Sequence, residues 1–472
     1  MTTEGEHLIS AGIDIGTSTT KLVITRLALR NTSSLTHVPK IEIISRDVLY
    51  ESPVYRTPLL DPDTIDMEGV ESLVLHEYKE AGVTAASIQT GAVIITGETA
   101  TKSNAAAFLA RLSDLAGEFL VATAGPDLES VIAAKGSGAW AYSKKTAKTV
   151  ANIDIGGGTA NIAVFRHGHL LGTCTLHVGG KLIEVSDARV TYIAKPVQHV
   201  IDRRSLGLTE GGHASKRDMQ TVTAYMADVI HQTLTGRLDP DEPLLYGHLP
   251  DWKGPVEVLF FSGGVSGCLY EPRSCEDGTF HDLGQDLGEA IVNHALMTDF
   301  TVCRPEETVR ATVLGAGAYT TEISGATIYV DEAVLPLRNV PVFPIRFEGD
   351  YDRGLASLAL SLQEAVRLFD PEEEGRDLAI SMPDLPLLGF RDIQHLAAQL
   401  LNAFREVPGE RPMILLLKRD LGQSLGQAIR MQDQGQSVIC IDELALDQGD
   451  YIDIGKRLPS GVVPAVIKTL TF

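Results

Sequence analysis

The sequence predicts an α/β protein made of two duplicated units followed by a third, C-terminal α/β module. Three observations carry this. An apolar strand–turn–strand containing Asp-x-Gly occurs at Leu8–Arg26 and starts again at Val150. Between and after these hairpins, short β-branched runs alternate with stretches of helical spacing. A Pro-punctuated segment (Pro336, Pro341, Pro344) then opens a region from Asp331 onward that resumes the alternation. The expected units are 1–148, 149–330 and 331–472.

In the first unit, LISAGIDIGTSTTKLVITR reads as a hairpin turning at Gly16 to Thr19. A third strand is expected at Ile41–Ser45 and an amphipathic helix at Met67–Ala81, where Val70, Leu73, Val74 and Tyr78 recur at helical spacing. Strand Gly91–Thr96, helix Thr99–Leu115, strand Glu118–Ala122 and a helix opening at Pro126 follow. The second unit repeats the order: VANIDIGGGTANIAVF as a hairpin, a strand at Leu170–Leu176, a helix at Asp218–Gly236, a strand at Val256–Phe261 and a helix at Val309–Tyr319. In the third module, helices are expected at Leu355–Leu368, Ile393–Arg405 and Ser424–Gln432, and strands at Met413–Leu417, Val438–Ile441 and Val462–Thr469. A third IDIG, Ile452–Gly455, lacks a following Gly or Thr run and reads as part of a strand.

Of the 472 residues, 44% are hydrophobic and 22% charged, the balance of a folded globular chain. The formal charge of −22 repels nucleic-acid backbones and anionic membrane surfaces, so neither is an expected partner. Five cysteines at Cys174, Cys268, Cys275, Cys303 and Cys440 show no metal-ligand spacing, and no disulfide framework is expected. Residues 1–10 carry Glu4 and Glu6 without the basic residues of a signal peptide, and no apolar run approaches the roughly 18 residues of a membrane span. A cytoplasmic protein is expected.

Two turns carry chemistry. Asp14 ends an apolar strand before Gly16, Thr17, Ser18 and Thr19; glycine lets backbone approach an anion, and the carboxylate suits a hydrated Mg²⁺. An ordinary Asp-x-Gly turn reads the same way. The second turn is more specific, because Asp154 precedes Gly156, Gly157 and Gly158 in a row, then Thr159, and three glycines lose more backbone entropy than a plain turn requires. It is not a Walker A loop, since no GKS or GKT follows, and NIAVF continues as a strand, which a dinucleotide fingerprint would not do. A third element, Ser262, Gly263 and Gly264, ends the strand Val256–Phe261 and allows a flat ligand to lie against backbone.

Taken in order, these motifs resemble the actin, heat-shock chaperone and sugar-kinase superfamily of ATPases, over roughly Leu8 to Val330. The resemblance implies duplicated ribonuclease-H-like domains closing on ATP and Mg²⁺. It assigns Asp14 and Asp154 to the metal shell, Gly16–Thr19 and Gly156–Thr159 to the phosphates, and Ser262–Gly264 to adenosine. Two segments match the superfamily's connecting helices, Pro126–Gly138 and Val309–Gly317, each ending in Gly-x-Gly, a pattern that suits either close helix crossing or shear between units. Asp127 matches an acid near the metal in the chaperone branch, though acids also favour a first helical turn. Glu98 is a second candidate for orienting the attacking water. Lys102, Lys144, Lys145 and Lys181 have the reach for a phosphate without any one standing out, and Gly179 and Gly180, after His177, match a segment near the nucleotide.

Within that superfamily, GIDIGTSTTKLVI, ITGETATKSNA, NIDIGGGTANIAVF and the C-terminal GDYIDIGKRLPSGVVPAVIKTLTF make the chain similar to the ethanolamine ammonia-lyase reactivating factor family. This implies an ATP-driven chaperone for ethanolamine ammonia-lyase carrying damaged cobalamin. The alternatives are a small-molecule kinase and a filament subunit. Oligomeric state, lyase contact surface and association with the ethanolamine microcompartment are left open by the sequence.

Overall fold

The computed structural model describes residues 6–16, 19–32, 41–61, 64–95, 120–123, 126–270, 282–305, 307–319, 321–324, 327–347, 350–370, 373–444 and 450–469. The expected helix at Thr99–Leu115 lies outside them, as do Thr17, Ser18 and Glu98.

The first unit contains β1 (His7–Ile15), β2 (Thr19–Asn31), β3 (Ile41–Glu51), β4 (Tyr55–Arg56), α1 (Met67–Glu80), β5 (Thr90–Ile95) and β6 (Leu120–Thr123). Its sheet runs β3-β2-β1-β5-β6, with β4 laid on β2. Strands β1 to β3 are antiparallel, and β5 and β6 run parallel to β1. Alternation along β1 and β2 places Ile13, Ile15, Leu22 and Ile24 on one face, where α1 buries Val70, Val74 and Tyr78 against them. Strand β3 continues six residues past the expected end at Ser45. Its edge position leaves Val48 and Leu49 exposed, and Arg46–Glu51 holds its apolar residues in one run, without the alternation that announces a strand.

The first unit ends with α2 (Pro126–Gly136) and α3 (Ala139–Lys145), and the second contains β7 (Thr149–Ile155), β8 (Ala160–Arg166), β9 (His169–Leu176), α4 (Lys195–Arg204), α5 (Lys216–Leu234), β10 (Leu245–Tyr246), β11 (Val258–Ser262), α6 (Gly264–Tyr270), α7 (Gly284–Val292), β12 (Thr301–Cys303) and α8 (Ala311–Tyr319). Its sheet runs β10-β9-β8-β7-β11-β12. Apart from the short β10, this is the order of the first sheet, with the same antiparallel triplet and parallel pair. The duplicated fold expected from the two hairpins is therefore present. A two-stranded hairpin, Ile183–Ser186 with Arg189–Ile193, was not expected; it turns through Asp187 and Ala188, both at positive φ, without the Asn-Gly that usually signals such a turn.

The connecting helices exchange places. Helix α2 follows the first sheet but packs on β7, β8 and β9, whereas α8 follows the second sheet and packs on β1, β2 and β5. The two helices therefore cross between the units. A Cβ on Gly136 would lie 1.8 Å from the Ala311 carbonyl oxygen, one on Gly315 2.1 Å from that of Ile132, and one on Gly12 2.3 Å from that of Val313. Only backbone fits at this crossing.

The third sheet uses β13 (Thr321–Ile323), β14 (Tyr329–Val330), β15 (Leu337–Pro344), α9 (Tyr351–Phe369), β16 (Ala379–Met382), α10 (Phe390–Glu406), β17 (Met413–Leu417), α11 (Gly422–Gln432), β18 (Val438–Ile441), β19 (Asp450–Ile454) and β20 (Pro464–Thr469). Its order is β13-β20-β19-β15-β16-β17-β18-β14, with β15 to β18 parallel. Helices α9, α10 and α11 cover one face, and Val342, Ile414, Ile439 and Ile452 share the other core. Strands β13 and β14 come from residues ahead of Asp331. The third IDIG is strand β19, and Asp453 accepts the Asn339 N–H at 2.6 Å. Cys174, Cys303 and Cys440 are free thiols, while Cys268 is disulfide-bonded where no cross-link was expected. Among the described residues, no helix is long and apolar enough to cross a membrane.

Candidate functional site

The core residues of β1 fix where Asp14 points. Ile13 and Ile15 face α1, so Asp14 between them faces the opposite side, toward α8. Its register partner on β2 is Lys21, whose ammonium lies 3.8 Å from Asp14 Oδ2 and donates to the Val309 carbonyl at 3.0 Å. The turn between them is closed by the Gly16 N–H donating to the Thr19 carbonyl at 2.9 Å. Thr57 donates to the Gly16 carbonyl at 2.7 Å, which ties the segment after β4 to this turn.

The second turn is closed in the same way, with Gly156 N–H donating to the Thr159 carbonyl at 2.9 Å. It is held from behind by Gly180 N–H to the Gly156 carbonyl (3.1 Å) and Lys181 N–H to the Gly157 carbonyl (2.7 Å). Gly179 is required there, since a Cβ would come 2.3 Å from the Gly157 oxygen. The segment His177–Lys181 thus supports the three-glycine turn through its backbone, and the His177 ring rests edge-on against Tyr246. Lys144, one of the candidate phosphate lysines, lies over the Trp140 ring at 4.4 Å.

Asp154 occupies the end of β7 as Asp14 occupies the end of β1. It is buried, and Ser262 donates to Oδ1 at 2.6 Å while Thr312 lies 3.4 Å from Oδ2. Ser262 in turn accepts from Asn152 Nδ2 at 2.9 Å, and Ser137 donates to Asn152 Oδ1 at 2.7 Å. A chain of hydrogen bonds therefore runs from the end of α2 to the carboxylate. Burial raises the Asp154 carboxyl above its usual range, and the nearby charge of Asp14 adds to this; the Ser262 and Thr312 hydroxyls and Lys21 pull the other way.

Gly263 has φ of +85°, and a Cβ on it would lie 2.4 Å from the Ile155 oxygen. It turns the chain from β11 into α6 against the end of β7, and Gly264 begins that helix. The structure thus joins Ser262 to Asp154 at the end of the second hairpin and Lys21 to Asp14 at the end of the first, and the charges of Asp14 and Lys21 both act on Asp154. Asp127 has other partners: Thr173 donates to its Oδ1, and His248 Nε2 lies 3.1 Å from the same atom. His248 Nδ1 lies 2.8 Å from the Leu249 carbonyl, so acceptors face both ring nitrogens. The backbone carbonyl, with Asp127 behind it, raises the His248 pKa against the opposing effect of burial.

Lys21 and Thr312 are site residues that carried no assignment from sequence. Lys21 stood inside the first motif, and its contact with Val309 forms only across the crossing. Thr312 had no local signal beyond a hydroxyl in a glycine-bearing helix.

A hard divalent cation suits this donor set. Two buried carboxylates end equivalent strands, with the Ser262 and Thr312 hydroxyls on Asp154 and the Lys21 ammonium beside Asp14. The Gly16 and Gly156 N–H groups are spent closing their turns, and Gly157 and Gly158 bring the further glycine N–H groups of the second turn, the kind of donor that phosphates use.

Residues 6–472 match the family described as ethanolamine utilisation protein EutA. The ethanolamine ammonia-lyase reactivase EutA of Escherichia coli (strain K12) is 37% identical over 470 residues, covering 99% of both chains. Its counterpart from Salmonella typhimurium is 38% identical over the same share. Among solved structures, the Aquifex aeolicus PPX-GPPA enzyme aligns over 66% of this chain and 99% of its own at 14% identity, with a TM-score of 0.39. The family match runs through all three sheets, including the C-terminal module, and by it this chain belongs to the ethanolamine utilisation protein EutA family.

Proposed function

We propose that this chain is an ATP-dependent reactivating chaperone for adenosylcobalamin-dependent ethanolamine ammonia-lyase, working on lyase whose damaged cobalamin remains bound. The observation that carries the reading is that Asp14 and Asp154 hold the same position at the ends of equivalent strands, in a chain related over its whole length to proteins named as reactivases of that lyase.

Asp14 and Asp154 would hold the metal, with the Thr312 hydroxyl beside Asp154. The backbone N–H groups of Gly157 and Gly158 orient the phosphates, and Gly264, with nothing within 4 Å of its Cβ position, leaves room for a flat base against backbone. Mg²⁺, when bound with the nucleotide, supplies charge neutralisation to the transferring phosphoryl group. The glycine crossing of α2 and α8 joins the two units through backbone contact. A change at the phosphates is therefore passed on as a relative movement of the sheets. For the lyase to be opened in one nucleotide state and released in the other, the two states must differ in affinity for it, since a ligand shifts an equilibrium only by its differential binding. The module after Asp331 lies outside the two duplicated units and is assigned the lyase contact. Work in the cytoplasm, in association with the ethanolamine microcompartment, fits the same reading.

The test is ethanolamine deamination by lyase inactivated with hydroxocobalamin, given this protein, fresh adenosylcobalamin and Mg²⁺, with and without ATP. Recovery that requires ATP and disappears in Asp154→Ala supports the proposal. No recovery while MgATP binding is intact would sink the client assignment and bring forward a small-molecule kinase.

A further inference from the structure

Lys21 has no part in the mechanism above, yet it stands at the joint of the two units. It is paired in register with Asp14, its side chain is 12% exposed, and its ammonium faces Asp14 Oδ2 at 3.8 Å and the Val309 carbonyl at 3.0 Å. Val309 belongs to the segment leading into α8, so one side chain of the first hairpin grips the helix that arrives from the second unit. The charge of Lys21 also acts on Asp154, which lies buried with Ser262 and Thr312.

The ammonium therefore meets one carboxylate and a carbonyl and acts through its charge on a second carboxylate, oxygen donors of the kind that a hard divalent cation also seeks. Two buried carboxylates, one of which acts on the other through its charge, repel at low local dielectric unless a cation lies near them. We propose that Lys21 is the resident counter-ion of the Asp14–Asp154 pair: it fills their anionic space in the nucleotide-free chain and competes with the divalent cation for it. This rests on the nucleotide reading only for the location of the metal. Its consequence is a threshold, in which the free chain resists loading by metal alone, because the incoming cation meets a positive charge already in place.

The test measures Mn²⁺ binding to the full chain without nucleotide, by electron paramagnetic resonance or calorimetry. It compares wild type with Lys21→Gln, whose amide keeps a donor for the Val309 carbonyl but no charge, and with Lys21→Arg, which keeps the charge. The proposal expects Mn²⁺ to bind Lys21→Gln at least tenfold tighter than wild type, and Lys21→Arg to resemble wild type. Thermal melting supplies a second readout: Lys21→Gln should melt below wild type in EDTA and regain more than wild type does on adding Mg²⁺. If Lys21→Gln does not fold, Lys21→Met, similar in volume and uncharged, takes its place. Equal or weaker Mn²⁺ affinity in the uncharged variants, with wild type still protected by MgATP, overturns the counter-ion role alone. Absence of protection of wild type by MgATP overturns the nucleotide reading, and the counter-ion role with it.

Discussion

Substituting Gly136 by Ala tests the crossing on which the site depends. The added Cβ would lie 1.8 Å from the Ala311 oxygen, 2.7 Å from the Ala311 carbonyl carbon and 2.7 Å from the Gly315 nitrogen, all backbone atoms of the facing segment. No rotamer relieves this. To restore ordinary contact the two helices must separate by about 1.7 Å, taking van der Waals contact at roughly 3.5 Å. Overpacking a close-packed interior costs typically 1–3 kcal/mol, and two backbones yield less readily than side chains, so about 3 kcal/mol is expected. Against it stands a gain of roughly 0.5–1 kcal/mol from replacing glycine in a helix. The net is about 2 kcal/mol, a large fraction of a total stability of some 5–15 kcal/mol. With a urea slope of about 3 kcal/mol/M, the unfolding midpoint should fall by roughly 0.7 M. Trp140 reports it well, since it sits on α3 just beyond the crossing with its indole N–H donated to the Gly168 carbonyl at 3.0 Å. Gly158→Ala is the control: nothing lies within 4 Å of its Cβ position and its φ is not positive, so its midpoint should stay put or rise slightly. Because Ser137 follows Gly136 and starts the hydrogen-bond chain to Asp154, Gly136→Ala should also weaken protection by MgATP. A Gly136→Ala midpoint within about 0.1 M of wild type, against the expected shift, would refute the claim that backbone contact sets the distance between the units.

Two further outcomes follow from the site. Asp154→Asn keeps an acceptor for Ser262 and removes a buried charge, so the free protein should melt no lower than wild type; the stabilisation of about 2.7 kcal/mol that MgATP gives at a hundredfold excess over its Kd should vanish, as differential scanning fluorimetry would read. At His248 the raised pKa comes mainly from the Leu249 carbonyl, helped by Asp127, so the stabilisation is complete below the unfolded value of about 6.5 and is lost as pH rises through the folded one. Melting temperature should therefore decline across that window in wild type and less so in His248→Gln; parallel curves would mean the contact contributes nothing, as its half-exposed position would allow.

The fold was most legible where the sequence pattern and the burial pattern coincide. Met413–Leu417 and Val438–Ile441 are continuous apolar runs buried on both faces of a parallel sheet, and the strands have those bounds. Strand β15 was missed because Pro341 and Pro344 argue against a strand; the sheet admits them, with the ladder to β19 shifting register between Leu337 and Val340. Helix α4 was missed for another reason. Its sequence KPVQHVIDRR offers three buried residues, Val197, Val200 and Ile201, too few to stand out among polar neighbours.

The site divides along the same line. Each turn is a local feature, and its Asp, glycines and hydroxyls were readable as a pattern because strand, turn and strand are contiguous. What joins the turns is not local: Lys21 reaches Val309, Asp154 is bonded by Ser262 and Thr312, and Gly136 meets Ala311. Asp154 and Ser262 are register partners on neighbouring strands, while the other contacts arise because α2 and α8 each pack on the other unit's sheet, which no window of sequence displays. The Gly-x-Gly pairs announced that something would approach closely, without saying what. Asp127 illustrates the converse, since its spacing from Gly136 matched a motif while its carboxylate is bonded to Thr173 and faces His248. Sequence spacing thus placed residues on elements, and the exchange of helices decided which charges met. The electrostatics of the joint, two carboxylates and one ammonium between two sheets, is a property of that exchange, and so is any coupling of nucleotide to the rest of the chain.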